Sequence, residues 1–522
     1  MKREAIVAAL RKDLEPWDVI VAGGGATGLG AALEAVTRGY RTLLLEQADF
    51  AASTSSKSTK LVHGGVRYLA QGDVSLVREA SIERGRLARN APHLVRNLSF
   101  VIPTFNAWEN IKYTIGLKMY DWLAGHLSLG KSVHISRKDT LDKLTTLKKD
   151  HLAGGVLYHD GQFDDSRLAI NLAQTISDKG GTVLNYMKIT SLRKDEEGNI
   201  SGLTVRDTLN DGPEIFLNTK AVINATGVFA DDILEMDNPD APKSIAASQG
   251  VHVVLDSSFL PGHNALMIPS TSDGRVLFVV PWHNKVVVGT TDTPVNHISL
   301  EPHALEAEIN FILQTAGQYL VRAPQRSDVR SVWAGLRPLA AARAEGHKTK
   351  EISRSHKIIV AASGLITIIG GKWTTYRRMG EDVLHQLEKS LRWKQTESQT
   401  QEMLVHGATP NVNWDDPWYF YGSDALHLHQ LVATQPDMQE VLSEPYHILK
   451  AQVVWAVREE MARNIADFLA RRVRLLFLDA REALRIAPAV AAIMATELIK
   501  DERWVNEQLQ TFETLAKGYI LS

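Results

Sequence analysis

The sequence WDVIVAGGGATG at residues 17–28 joins a short apolar run to a G-x-G-x-x-G motif. The apolar run predicts a buried strand, and the motif predicts a tight turn into a helix that runs to about Arg38. In such a turn Gly23 permits the bend, Gly25 lets the backbone approach a pyrophosphate, and Gly28 allows close packing of the helix. The helix N-terminus would then face a diphosphate, so this unit predicts dinucleotide binding.

A second apolar run at residues 41–45 ends at Glu46. A carboxylate at this distance from the glycines accepts hydrogen bonds from a ribose and disfavours a 2′-phosphate. Strand, glycines, helix, strand and acid therefore follow the order of a nucleotide-binding βαβ unit. This unit alone does not distinguish FAD from NAD.

The overall composition excludes several classes of function. The chain has 522 residues, of which 44% are apolar and 23% charged, which favours two or three folded domains. A net charge of -2 and the absence of cysteine argue against nucleic acid as a partner, disulfides and cysteine-ligated zinc, and we expect no metal site. Residues 1–14 lack the apolar core of an export signal, and the apolar run at 358–371 is interrupted by glycines, so we expect a cytoplasmic protein without a spanning helix.

Residues 53–69, STSSKSTKLVHGGVRYL, are dense in small hydroxyl side chains and then in glycines. Such a segment can pass close to a flat ring system, with Gly64 and Gly65 leaving room for an isoalloxazine. Taken separately, residues 53–58 are more typical of a surface loop. Residues 54–69, however, closely resemble the signature of the FAD-dependent glycerol-3-phosphate dehydrogenases, members of the glycine-oxidase-like flavoprotein superfamily.

The resemblance continues along the chain. Segments similar to further blocks of that family follow in the family's order: 274–282 (GRVLFVVPW), 289–293 (GTTDT), 334–339 (AGLRPL) and 370–377 (GGKWTTYR). The likeness runs from about Trp17 to Arg378 and is weaker near the C-terminus. Val228 stands where the family usually has Trp after Gly227, so we expect different packing at that point.

The predicted fold is α/β. It has a discontinuous Rossmann-type FAD-binding domain at 1–80, 161–243 and 349–394, and an inserted substrate domain with a mixed or antiparallel sheet at 81–160 and 244–348. A C-terminal helical cap at 395–522 includes a predicted apolar helical stripe at 453–478. Nearby arginines are expected on a solvated helix face, with anionic lipid as the alternative: Arg463, Arg471, Arg472 and Arg474.

The resemblance implies FAD as the cofactor. The residues that we predict to hold it are Gly23, Gly25, Gly28, Glu46, Thr54, Ser55, Thr59, Lys60, Leu61, His63, Gly64, Gly65, Gly227, Asp292, Gly370, Gly371 and Thr374.

The resemblance also implies oxidation of sn-glycerol 3-phosphate to dihydroxyacetone phosphate. This chemistry needs cations for the phosphate dianion, an acceptor for the hydroxyl proton and a hydride acceptor. Arg67, Arg337 and Lys372 are placed around the phosphate by the resemblance, although each alone is more typical of a solvated surface charge. Tyr68 is predicted to orient the substrate.

His252 is the predicted proton acceptor, with an arginine-bound water as the alternative. The alternative is that His252 is a hydrogen-bonded core histidine with a purely structural role. His63 is a rival for the same role, although its place beside two glycines favours contact with the flavin.

Reduced FAD can pass electrons to a quinone, which implies a membrane surface as a partner. Residues 108–129 carry apolar side chains at helical spacing: Ile111, Ile115, Met119, Trp122 and Leu123. Such a stripe is typical of a core helix, and the resemblance adds support for the alternative of an interfacial helix. We therefore expect a peripheral, monotopic association with the cytoplasmic membrane, and leave open a homodimer. The rival functions are a flavin-dependent amine or amino-acid oxidase on the same fold and a non-catalytic flavoprotein sensor.

Overall fold

The computed structural model describes residues 1–65, 73–210, 212–272, 274–341 and 356–521. The strands in this part of the chain are β1 Val19–Ala22, β2 Thr42–Leu45, β3 Leu61–Val62, β4 Val95–Thr104, β5 Val133–Ser136, β6 Gly154–Phe163, β7 Thr182–Leu184, β8 Met187–Lys194, β9 Ile200–Asp207, β10 Ile215–Asn218, β11 Val222–Asn224, β12 Ile245–Asp256, β13 Asn264–Ile268, β14 Leu277–Trp282, β15 Lys285–Gly289, β16 Thr293–Pro294, β17 Ser331–Ala340, β18 Lys357–Val360, β19 Ile366–Ile369, β20 Val441–Ser443 and β21 Ile448–Leu449. The helices are α1 Arg3–Leu10, α2 Ala26–Thr37, α3 Val74–Asn90, α4 Ala107–Ala124, α5 Arg137–Lys143, α6 Asp165–Asp178, α7 Ala230–Asp237, α8 Glu306–Tyr319, α9 Tyr376–Ser390, α10 Ala425–Thr434, α11 Lys450–Glu459, α12 Leu475–Leu478, α13 Ala480–Leu498 and α14 Glu502–Lys517.

A six-stranded sheet in the order β18-β19-β11-β1-β2-β7 holds the glycine motif. Its strands are parallel except for β18, and β1 and β2 are buried along their whole length because helices cover both faces of such a sheet. The β1-α2-β2 unit is the one that the sequence predicts. The α/β fold class is therefore confirmed.

A second, larger sheet lies beside the first. Its main path is β16-β12-β15-β14-β13-β4-β6-β3, while β17 pairs with β12 and β5 pairs with β6. Most of its pairs are antiparallel, and β13 and β4 run parallel, so the predicted mixed sheet is confirmed. The short edge strand β3 comes from the hydroxyl-rich segment, which therefore leads the chain from the first sheet into the second.

The first sheet draws its strands from separate stretches of chain, since β7 and β11 follow β6 and since β18 and β19 follow β17. A discontinuous nucleotide domain has this organisation. The boundaries at 1–80, 161–243 and 349–394, and those of the other two domains, stay a prediction.

The C-terminal region is helical, as predicted, but the expected apolar stripe at 453–478 is not one continuous helix. Helix α11 ends at Glu459, Met461 has a left-handed φ of 55°, and a wide helical turn spans Asp467–Arg472 before α12 begins. Apolar periodicity reported burial correctly here, since Ile465 and Phe468 are fully buried. The apolar pattern did not predict where the helix is interrupted, because apolar side chains are buried on both sides of each interruption.

The turn at 467–472 places two arginines on one carboxylate. Arg471 Nε and Arg472 Nη1 each lie 2.6 Å from an oxygen of Asp49, which follows β2. Burial by itself would raise the pKa of Asp49, but Arg472 and Arg471 outweigh it and hold that pKa below its ordinary value. The cap is thus joined to the nucleotide unit by buried charge.

The other two arginines are also buried and paired. Arg474 Nε lies 2.7 Å from Asp164 Oδ2, and Arg463 Nη2 lies 2.8 Å from Glu4 Oε2. The prediction of a solvated helix face was wrong, and so was the lipid alternative, because all four arginine side chains are buried. The carboxylates that pair with Arg463 and Arg474 lie hundreds of residues away in the sequence. Nothing in the local pattern distinguishes an arginine paired in the core from one in solvent.

Replacing Arg472 by leucine is expected to lower the free energy of unfolding by about 3 kcal/mol, because the Asp49 carboxylate stays buried with part of its charge uncompensated. The midpoint of urea unfolding measures this change. Arg503→Leu is the matched control, since Arg503 and its partner Glu507 are 84% and 59% exposed, and its midpoint should stay close to that of the unchanged protein. Equal midpoints for the two variants would contradict the role given to the buried pair.

Candidate active site

A cavity of about 610 Å³ lies where the two sheets meet. Its walls come from the turn after β1, the segment after β2, the turn after β11, the middle of β12 and β17, and the glycines after β19. The predicted residues that line it are Gly23, Gly25, Glu46, Thr54, Ser55, Thr59, Leu61, His63, Gly65, Gly227, His252, Asp292, Arg337, Gly370, Gly371, Lys372 and Thr374. Arg67 and Tyr68, predicted to bind substrate, lie outside the described residues.

The glycine turn has no room for side chains. Gly23 has φ +107°, and a Cβ at Gly28 would lie 1.8 Å from the carbonyl oxygen of Gly23. Helix α2 starts after Gly25, where a Cβ would lie 2.9 Å from Ser55 Oγ. The start of α2 therefore faces the cavity along bare backbone, which is the arrangement that binds a diphosphate.

Glu46 lies beside this turn. It accepts the Gly24 N–H at 2.6 Å and the Ala48 N–H at 2.9 Å. Burial raises the pKa of Glu46, and these two N–H donors oppose that shift. Its remaining lone pairs can accept ribose hydroxyls, so the fold and the donor set fit the adenosine end of a dinucleotide such as FAD.

The hydroxyl-rich segment is bonded to both sides of the cavity. Thr54 Oγ1 donates to the Leu336 carbonyl at 2.7 Å, and Trp373 Nε1 donates to the Ser55 carbonyl at 2.8 Å. The His63 N–H donates to Thr374 Oγ1 at 3.3 Å. The segment is a wall of the cavity and not the surface loop that residues 53–58 alone suggest.

Three predicted cofactor residues lie behind the wall. Lys60 Nζ donates to Asp165 at 2.8 Å, and the Lys60 side chain is fully buried. Gly28 packs against the carbonyl of Gly23 within the glycine turn. The Gly64 N–H donates to Tyr120 Oη at 2.7 Å, away from the cavity. These residues support the walls and do not line the cavity.

Arg337 is held in a fixed orientation on the substrate side. Its Nη2 donates to the Thr291 carbonyl at 2.9 Å and to Thr290 Oγ1 at 3.2 Å, and its Nη1 donates to the Gln249 carbonyl at 3.2 Å. Asp292 Oδ1 lies 3.4 Å from Nη1. The structure thus places Asp292, predicted as a cofactor contact, on the same wall as Arg337.

His252 combines the features of a core residue and of a site residue. It stacks on Trp333 with ring centroids 5.3 Å apart, and its Nε2 makes a 2.9 Å hydrogen bond with Thr59 Oγ1. Burial lowers the pKa of His252 well below its ordinary value, and the nearby charges of Arg337 and Lys60 add to this effect. The imidazole is therefore neutral at neutral pH and able to accept a proton, although its protonated form would be costly.

Several lining residues were not singled out from the sequence. Arg275 lines the cavity just before β14, with its guanidinium 5.1 Å from the centroid of the Phe311 ring. It follows Gly274 within one of the blocks that resemble the family, and Arg337 was singled out because it lies in another of these blocks. Lys57 also lines the cavity, but its Nζ donates to Glu301 at 2.6 Å. No sequence signal marks the aromatic and apolar part of the wall, which includes Phe100, Tyr158, Met267 and Phe278.

Comparisons with known proteins agree on one group. The family described as "FAD dependent oxidoreductase" matches residues 18–377, and "C-terminal domain of alpha-glycerophosphate oxidase" matches 366–504. The mitochondrial glycerol-3-phosphate dehydrogenase of Macaca fascicularis is 37% identical over 98% of this chain and 74% of its own, and one from Arabidopsis thaliana is 39% identical over 98% and 87%.

Solved structures are similar over most of the chain. The glycerol-3-phosphate dehydrogenase from Bacillus halodurans, complexed with FAD, matches with TM-score 0.81 and 28% identity, over 99% of this chain and 97% of its own. The L-alpha-glycerophosphate oxidase from Mycoplasma pneumoniae, with FAD bound, matches with TM-score 0.57 and 18% identity over 74% and 97%, which shows likeness of fold alone.

Gly28→Ala is expected to abolish cofactor binding, because the new methyl group would displace the Gly23 carbonyl from the turn that faces the diphosphate. The visible flavin absorbance of the purified protein measures this. Gly116→Ala is the control, since a Cβ there meets nothing within 4 Å. A Gly28→Ala protein that is as yellow as the control would show that the turn is not the cofactor cradle.

Proposed function

The chain belongs to the family of FAD-dependent glycerol-3-phosphate dehydrogenases, and from this premise we propose that it oxidises sn-glycerol 3-phosphate to dihydroxyacetone phosphate and passes the electrons to a membrane quinone. One observation of the structure carries the proposal. A single cavity joins a dinucleotide cradle to a wall that bears Arg275, Arg337 and Lys372. Guanidinium and ammonium groups together suit a phosphate dianion, whereas the amine of an amino-acid substrate would be repelled by them.

The residues divide the work of the reaction. Bound FAD supplies the hydride acceptor. Arg337 is pre-oriented by its bonds to Gln249 and Thr291, so it can fix the phosphate and thereby the position of the carbinol carbon. The hydroxyl proton passes to the neutral imidazole of His252 or to a water held by an arginine. Lys372 contributes a point charge from the turn formed by Gly370 and Gly371, whose φ values are +78° and +81°.

Anaerobic titration of the FAD-bound protein with sn-glycerol 3-phosphate tests the function. The visible flavin absorbance should bleach with the phosphate ester and stay unchanged with glycerol or amino acids. Subsequent addition of a quinone analogue should restore the colour and, with excess substrate, turn over. Bleaching by an amino acid instead would favour the oxidase, and no bleaching by any of these would favour a sensor without turnover.

The same titration separates the roles of two residues. Arg337→Ala should weaken the affinity for the phosphate ester by about 100-fold, as expected for loss of a charged hydrogen-bond donor.

His252→Gln should slow flavin reduction at saturating substrate with little effect on the affinity for the phosphate ester. Because the pKa of His252 is far below its ordinary value, its protonation should cause no loss of rate between about pH 6 and 8. Unchanged single-turnover reduction in His252→Gln would leave the water as the proton acceptor.

The membrane part of the proposal rests on α4. Its outward side carries a continuous apolar stripe: Trp108, Ile111, Ile115, Met119 and Trp122, of which the two tryptophans are 73% and 78% exposed. Lys112 and Lys118 are exposed on the same helix. An apolar stripe with tryptophans and flanking lysines suits a helix lying in the interface of a bilayer with anionic lipids, here the cytoplasmic membrane. Among the described residues, no helix has the length and apolarity needed to span a bilayer.

A double variant, Trp108→Ser with Trp122→Ser, should lower binding to vesicles of anionic phospholipid by about tenfold or more, because each indole contributes buried area at the interface. Co-sedimentation with the vesicles measures binding. Ile499→Ser serves as control, since Ile499 is 93% exposed but stands apart from the stripe. If the double variant sediments like the control, α4 is not the lipid contact.

A further inference from the structure

Glu308, on α8, is a buried carboxylate that lies outside the cavity. It is 5% exposed. Its Oε1 accepts hydrogen bonds from the hydroxyls of Thr291 and Thr293, both at 2.7 Å. Its Oε2 accepts from Gln249 Nε2 at 2.8 Å and from the Leu305 N–H at 3.1 Å. Both oxygens are thus fully used in holding other residues.

Two of these partners also carry the backbone groups that hold Arg337. The carbonyl of Gln249 accepts from Arg337 Nη1 at 3.2 Å, and the carbonyl of Thr291 accepts from Nη2 at 2.9 Å. Gln249 belongs to β12, whereas Thr291 follows β15, so the two carbonyls come from different strands. The Glu308 carboxylate bridges the side chains of the same two residues.

We propose that Glu308 is a positioning residue for substrate, which sets the orientation of Arg337 through Gln249 and Thr291 and so determines selection for a phosphate ester. The inference rests on the proposed function and identifies Glu308 as the residue that positions the phosphate-binding Arg337. A planar guanidinium recognises phosphate well only in the correct orientation, so moving one of its two carbonyl anchors tilts the donors away from the anion.

A carboxylate at 308 accepts from all four partners. The Thr291 and Thr293 hydroxyls, the Gln249 amide and the Leu305 N–H all donate to Glu308. A glutamine at 308 would turn its NH₂ group either toward the Gln249 and Leu305 donors, which cannot accept it, or toward the two hydroxyls, which would then have to accept and to redirect their own protons. The anchors on one side of Arg337 would then shift, while the nucleotide turn on the other sheet would not.

Glu308→Gln in the FAD-bound protein tests this. KM for sn-glycerol 3-phosphate should rise about tenfold, the effect of a disturbed charged hydrogen bond, while kcat falls less than about twofold. Inorganic phosphate, used as a competitive inhibitor and in equilibrium titration of the flavin spectrum, should bind weaker by a similar factor. A structural role in folding alone would change the yield or the flavin content, and not the KM and the phosphate affinity together.

Two threonine variants separate the partners of Glu308. Thr291→Val removes a hydroxyl that bonds Glu308 and also accepts the Val251 N–H at 2.9 Å, from a residue whose carbonyl holds Arg337, and should weaken phosphate binding. Thr293→Val removes a hydroxyl bound by the same Glu308 oxygen, from a residue that is not among the described residues lining the cavity, and should leave KM within about twofold. If Glu308→Gln fails to fold, this pair decides the question.

Equal effects in the two threonine variants, or a Glu308→Gln protein with unchanged KM and phosphate affinity, would overturn the inference while leaving the proposed function intact. If the unchanged protein itself ignores sn-glycerol 3-phosphate, the proposed function fails, and this inference fails with it.

Discussion

The buried ion pair between Lys60 and Asp165 fixes the segment on which the cavity depends. Both side chains are completely buried, and Lys60 Nζ also donates to the Ser56 carbonyl at 2.6 Å. An ammonium group in such a place is tolerated only with its carboxylate, because an uncompensated buried charge costs several kcal/mol, on the order of 3–5. Residues 53–65 therefore have one position between the six-stranded sheet and edge strand β3 of the larger one.

From this anchor the segment joins the two functions of the site. Ser55 Oγ accepts the Ala26 N–H at the start of α2, on the nucleotide side. Only four residues later, Thr59 bonds His252 on the substrate side. Oxidation of an alcohol requires the hydride acceptor and the proton acceptor at fixed positions around one carbon, and here one stretch of backbone sets the cofactor cradle and the proposed proton acceptor relative to each other.

The features that the sequence could predict are those whose cause is local. The β1-α2-β2 unit follows from residues 17–46, because the φ of +107° at Gly23 and the approach of Gly28 to the Gly23 carbonyl both belong to the turn itself. Lys60 stood in a segment that resembles a cofactor signature, yet its side chain points to Asp165, and no local pattern reveals a partner 105 residues away. The predicted solvent exposure of Arg471 and Arg472 was wrong for the same reason. Charged side chains usually lie in solvent, but here a carboxylate that is distant in sequence, Asp49, pairs with both in the core.

Helix α4 shows the same limit and also links the outside of the protein to the site. Periodicity identified its apolar stripe but could not say whether that side faced the core, whereas the structure shows the stripe outward and Tyr120 inward. The Tyr120 hydroxyl donates to Asp160, which lines the cavity, and accepts from Gly64 and from Arg84 at 2.7 and 2.9 Å. A helix with its side chains is about 10 Å across. The surface proposed for lipid is therefore separated from the Asp160 wall of the cavity by little more than one helix.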